Sequence, residues 1–143
     1  MITRENIITA AKKTIVSESQ SIAKLTDFID DVFVNAVEEI YNSKGRLIVT
    51  GIGKSAIIAQ KIVATLNSTG TPSMFLHASE AIHGDLGMVQ DGDAVICISK
   101  SGNSPEIKVL VPLLKRFGNK LIAITGNVTS FLGKEAHYTL NTM

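Results

Sequence analysis

The sequence has a single cysteine, no surplus of charge of either sign, no long apolar run and no internal repeat, and each shortage removes a class of protein. Cys97 alone excludes an intrachain disulfide framework and agrees with a reducing compartment, so cytoplasm is the expected location. Lysine and arginine number 14 against 13 acidic residues, a formal net charge of +1. Such a balance offers no broad field for nucleic acid or an anionic membrane; neither is expected as a partner, and any anion must be held by a local site. The strongest apolar stretches, 94–98 and 121–124, are far shorter than the roughly 20 residues of a spanning helix. The opening residues are polar and acidic, without the basic start and apolar run of a secretory signal.

What remains has the size and apolar content of one globular domain: 143 residues, 45% hydrophobic and 19% charged. Over 3–25, apolar residues at Ile7, Ile8, Ala11, Ile15 and Ile22 recur at helical spacing and make one greasy stripe. A second amphipathic run, Ile29 to Ile40 in its apolar positions, is predicted to start at a cap on Asp30 and to stop at Gly45. Coming before any strand, the two helices suit an arm or a partner-subunit contact.

After Gly45 the pattern changes. Short apolar runs at 46–50, 73–76, 94–98, 120–125 and 138–140 alternate with helical segments at 55–69, 105–117 and, shorter, 130–136. Alternation of this kind predicts a parallel sheet with helices on both faces. In such sheets ligands bind beyond the carboxyl ends of the strands, so the loops at 50–55, 77–87 and 99–106 are where function is expected.

The first loop reads Thr50-Gly51-Ile52-Gly53-Lys54-Ser55-Ala56. Its glycines let backbone amides approach a ligand and Lys54 brings a positive charge. It is not a Walker A loop, which needs a glycine where Ile48 stands, and a dinucleotide fingerprint needs an acidic residue near Leu76 and His77, where there is none. A tight turn without a ligand explains Gly51 and Gly53 equally well. In Ser99-Lys100-Ser101-Gly102-Asn103-Ser104-Pro105-Glu106, three hydroxyls, free amides and a helix start suit a phosphate monoester. The bland reading makes Ser104 a helix cap and the other serines loop polarity. Glu106 suits the helix dipole with no function at all; beside a sugar phosphate it suits proton transfer between adjacent carbons. His83, within Glu80-Ala81-Ile82-His83-Gly84-Asp85-Leu86-Gly87-Met88, suits a general acid or base, a substrate hydrogen bond or, less well, a metal ligand, and a lone histidine is more often structural. No His, Cys and carboxylate cluster has metal-ligand spacing, so no required metal is expected, and Cys97 reads as core.

Taken in this order, the three loops, together with Ser68-Thr69-Gly70-Thr71-Pro72 and Ile124-Thr125-Gly126-Asn127, resemble the SIS (sugar isomerase) family and, within it, the arabinose-5-phosphate isomerase branch. The resemblance covers almost the whole chain, and the STGTP and EAxHGDLGM segments carry most of it. It implies a three-layer α/β/α sandwich of flavodoxin-like type with a five-stranded parallel sheet, preceded by two N-terminal helices. One SIS domain would then span 1–143, with helices over 1–44 and the α/β core over 45–143. The implied activity is interconversion of ribulose 5-phosphate and arabinose 5-phosphate through an enediol, without a cofactor, feeding synthesis of the acid sugar Kdo of lipopolysaccharide and some capsules. The implied assembly is a homo-oligomer, dimer or tetramer. Carried over by position, Gly53, Ser55, Ser99, Ser101 and Ser104 would bind substrate and phosphate, while Lys54, Glu106 and His83 would be catalytic. The sequence departs from the family at Lys100, where asparagine or glutamine is usual: the lysine either adds phosphate affinity or points to solvent. Longer members continue past the position of Met143 into a segment with a further catalytic glutamate and later a histidine; the expectation is a domain without that segment, either a truncated chain or a phosphosugar-binding, regulatory module without turnover.

Overall fold

In the computed structural model, residues 2–142 are described. The chain opens with α1 (Arg4–Lys24), a single 3-10 turn (Leu25–Phe28) and α2 (Asp31–Asn42). Thr3 caps α1 by accepting from the Asn6 amide, and Asp30 caps α2 by accepting from Val32 and Phe33, as an oxygen-bearing side chain does at a helix start. α1 buries no residue; Ile15 and Ile22 are 66% and 68% exposed, so its apolar stripe runs roughly 30 Å through solvent.

Strands and helices then alternate: β1 (Leu47–Gly51), α3 (Lys54–Ser68), β2 (Ser73–His77), α4 (Ala78–Ile82), β3 (Ala94–Ile98), α5 (Pro105–Arg116), β4 (Lys120–Thr125), α6 (Phe131–Glu135) and β5 (Tyr138–Asn141). All five strands are parallel in the order β2-β1-β3-β4-β5. The central strands β1, β3 and β4 are buried on both faces and read as nearly continuous apolar runs, whereas the edge strands β2 and β5 are half-buried. Ile48, Val95, Leu121 and Ala123 face α4, α5 and α6. Val49, Ile96 and Ile122 face α2 and α3. Full burial of each of these larger side chains contributes about 1.5–3 kcal/mol.

Two expectations need correction. The segment 77–87 is not a loop throughout: it forms α4 and a 3-10 turn over Asp85–Met88, because Ala78 and Ala81 are small enough to bury against α5. Gly45 is not the stop of α2, which ends at Asn42 with Ser43 in an extended cap. Gly45 is instead required by close approach, since a Cβ there would come within 2.6 Å of the Gly92 carbonyl carbon and the Asp93 amide. By contrast, Gly70 does close α3: it has φ +95°, and the Thr71 amide donates back to the Leu66 carbonyl at 2.9 Å, the wrap that ends many helices on a glycine.

Candidate functional site

The sheet order itself nominates a place for ligands. β1 leads into α3 on one face and β3 leads into α5 on the other, so a crevice opens between the carboxyl ends of these neighbouring strands. A cavity of about 490 Å³ lies there, lined by Ile52 and Ser55 after β1, by Ser99, Lys100, Ser101 and Ser104 after β3, and by Gly126 after β4. A second, of about 340 Å³, shares Ser55, Lys100 and Gly126 with it and extends to Ile98, Ile124 and Thr142.

The serine loop is built by its own bonds. The Ser99 hydroxyl, on a buried residue, accepts from the Gly102 amide at 3.1 Å, and the Ser101 hydroxyl accepts from the Asn103 amide at 3.3 Å. Gly102 holds φ +64°, and a Cβ there would lie 2.6 Å from Ser130 Cβ. Its carbonyl accepts from Leu132 while Asn103 Oδ1 accepts from Phe131, so the loop is tied to the start of α6. The Lys100 carbonyl accepts from Gly126 N–H at 3.1 Å and from Thr125 Oγ1 at 3.3 Å, fixing the loop against the end of β4.

Ser104 bears on the two readings of the loop. It stands at the N-cap position of α5 and makes no capping bond; its Oγ is buried and has no hydrogen-bond partner. A buried hydroxyl without a partner costs on the order of 1–3 kcal/mol.

The other sequence-predicted residues are not on the lining of this cavity. Gly53, with φ +58°, is the N-cap residue of α3; the tight turn needs a glycine whether or not a ligand binds. Lys54 is the first, exposed residue of α3 and Glu106 lies half-buried in the first turn of α5. His83 is exposed just after α4. The cavity therefore unites Ser55, Ser99, Ser101 and Ser104, whereas none of Gly53, Lys54, His83 and Glu106 lines it.

Ile52 and Gly126 line the cavity without having been assigned to it from sequence; Lys100, for which the sequence left phosphate affinity or solvent open, is exposed and also a lining residue. The rule that ligands sit at strand ends would have found Gly126, had the adjacency of β3 and β4 been in view. The remaining histidines have structural work: His77 Nδ1 accepts from the Ser79 amide at the start of α4, and His137 Nδ1 accepts from the Leu121 amide. Burial, helped by the charges of Lys120 and Lys115, lowers the pKa of His137 and favours the neutral ring that accepts this bond. Burial pushes the Cys97 thiol up to about 12, so it stays protonated in the core. No group of three His, Cys, Asp or Glu side chains suited to a metal occurs among the described residues, nor any helix long and apolar enough to cross a membrane.

The sequence profile of the SIS domain matches residues 39–143. Arabinose 5-phosphate isomerase KdsD of Pseudomonas aeruginosa is 46% identical over 136 residues, covering 95% of this chain and 42% of that protein. The KdsD protein of Escherichia coli K12 is 46% identical over 127 residues, covering 89% of this chain and 39% of that protein. This chain thus spans about two fifths of the length of these relatives. Among solved structures, an Escherichia coli CFT073 protein in complex with arabinose 5-phosphate superposes with a TM-score of 0.92 at 38% identity, covering 99% of this chain and 75% of that one.

Proposed function

The chain belongs to the SIS domain family, and from that premise we propose that it binds a five-carbon sugar phosphate at the β1/β3 crevice and interconverts ribulose 5-phosphate and arabinose 5-phosphate. The observation that carries the reading is the partnerless Ser104 Oγ in a serine-lined cavity between two helix starts. In this reading Ser55, Ser99, Ser101 and Ser104 hold the phosphate, with Gly53 opening the first turn to the ligand. Glu106 takes the proton from one of the two carbons C1 and C2 and returns it to the other, while the carbonyl and hydroxyl oxygens exchange roles through the enediol. Lys54 stabilises the enediolate oxygen, an electrostatic contribution of a few kcal/mol in sites of this kind, and His83 hydrogen-bonds the sugar. The step needs no redox cofactor, because hydrogen leaves and re-enters the same molecule. We place the product on the route to Kdo, and the whole chain, 1–143, in one domain that assembles as a homo-oligomer in the cytoplasm.

A second reading, phosphosugar binding without turnover, is favoured by one observation: Lys54, His83 and Glu106 do not line the serine cavity of the single chain. NMR of arabinose 5-phosphate in heavy water separates the two. An isomerase produces ribulose 5-phosphate and exchanges the C2 proton for deuterium; a binding module broadens ligand signals and does neither. Glu106→Gln is expected to lower turnover at least a hundredfold with binding nearly unchanged, since it removes the base and keeps the shape. Unchanged turnover in that variant removes Glu106 from the mechanism.

A further inference from the structure

Lys54 was the lysine that the sequence pointed to, yet Lys100 is the one on the lining of the cavity. Lys100 also lines the adjoining cavity and, with Ser55 and Gly126, forms the wall common to the two. Its backbone is held on that wall by the bonds from Gly126 and Thr125 to its carbonyl. Its ammonium has no ion-pair partner among the described residues, whose two ion pairs are Arg46 with Asp93 and Lys115 with Glu135. No carboxylate lines either cavity, so nothing in the site competes for this charge.

We infer that Lys100 is a specificity-determining residue: the cation that neutralises the phosphate of the bound sugar and sits at the junction between a phosphate compartment and a sugar compartment. The inference rests on the phosphosugar reading above and deepens it. The four serines and the two helix starts supply neutral donors and partial charges to the first cavity. A phosphate monoester carries close to two negative charges at neutral pH, and the ammonium of the exposed Lys100, swung from this wall onto the phosphate, discriminates it from a neutral sugar by an amount that hydroxyls alone do not supply. The second cavity, with Ile98 and Ile124 beside Thr142, takes the remainder of the ligand, so Lys100 faces the substrate where its charged and uncharged parts meet. An ammonium is a point charge and demands no fixed plane, so arginine at this position keeps the effect and glutamine removes it.

The test is calorimetric titration of inorganic phosphate, arabinose 5-phosphate and arabinose into the wild type, Lys100→Gln, Lys100→Arg and Ser104→Ala. Lys100→Gln is expected to weaken both phosphate-bearing ligands by roughly five- to tenfold, the size of a partly solvated charge contact, with arabinose unaffected. Lys100→Arg restores most of the loss, and raising the salt concentration narrows the gap between wild type and Lys100→Gln. If Lys100→Gln binds both anions as the wild type does while Ser104→Ala does not, the serine site stands and the role of Lys100 is overturned. If the wild type binds neither anion, the site reading and the inference fall together. An equal loss for arabinose overturns the charge argument and makes Lys100 a packing residue.

Discussion

The two edges of the sheet treat polar groups in opposite ways. At the amino edge, the buried Asp93 carboxylate accepts from the Arg46 amide at 2.7 Å, from the Arg46 guanidinium at 2.9 Å and from the Gln90 amide at 2.9 Å. Asn119 Nδ2 donates to the carbonyls of Gln90 and Asp93, and only its Oδ1 is left without a partner. The carboxyl edge instead leaves a buried hydroxyl unpartnered at Ser104 and, on the exposed Lys100, an ammonium without an ion pair among the described residues, both residues lining one cavity. The difference teaches where to look for function: the amino edge ties its buried carboxylate and the Asn119 amide nitrogen into the chain, leaving only Asn119 Oδ1 over, whereas the carboxyl edge leaves its hydroxyl on the lining of a cavity, where the proposed ligand would meet it.

The contrast can be broken most severely at Gly102. Alanine there meets two obstacles, a φ of +64° and the Ser130 side chain, so Gly102→Ala is expected to cost about 3–4 kcal/mol in urea denaturation. Because Gly102 anchors the serine loop to α6, phosphate affinity falls with it. A loss below about 1 kcal/mol would mean that the loop is not held rigidly enough to pre-form a site.

The amino edge gives the middle-sized effect and the complementary pattern. Asp93→Asn leaves the Arg46 guanidinium without its anion and turns an acceptor into a donor facing backbone amides, a cost of about 2–3 kcal/mol, with phosphate affinity within about twofold of wild type. Burial alone would raise the Asp93 pKa; the Gln90 amide, the Arg46 side chain and amide, and the Arg46 charge outweigh burial and hold it below the ordinary carboxylate value. A carboxyl depressed in the folded state contributes fully above its unfolded pKa, near 3.9, and loses that contribution as pH falls through the folded value. Acid denaturation of the wild type should therefore include a component below about pH 4 that Asp93→Asn lacks.

The fold was legible because each element carried its own local signal: Thr3 and Asp30 cap helices, Gly70 ends one, and apolar runs mark the strands. α4 was hidden because five residues are too few to display a helical period, and its glycine-rich surroundings looked like loop. Gly45 was misread because a glycine that ends a helix and one that admits a neighbouring backbone look alike until Gly92 is brought beside it. In the site, the serines of one contiguous loop were readable together. The pairing of Lys100 with Gly126 is not legible in the sequence, because their adjacency comes from β3 and β4 lying side by side. α1 shows the reverse: its stripe was visible in the sequence, and the single chain supplies nothing to cover it.

The smallest effect on folding is also the sharpest test of the contrast between edges. Ser104 Oγ makes no hydrogen bond in the folded chain, so Ser104→Ala removes a desolvated hydroxyl that contributes nothing to the native state, and stability is expected to stay within about 0.5 kcal/mol of wild type or to rise. Phosphate affinity should nevertheless fall about tenfold, because in the proposed site the same hydroxyl donates to the ligand. Opposite signs in folding and binding are what a group held in reserve produces. A clear loss of stability with unchanged phosphate affinity would instead make Ser104 an ordinary helix-start residue and reduce the carboxyl edge to the same internal economy as the amino edge.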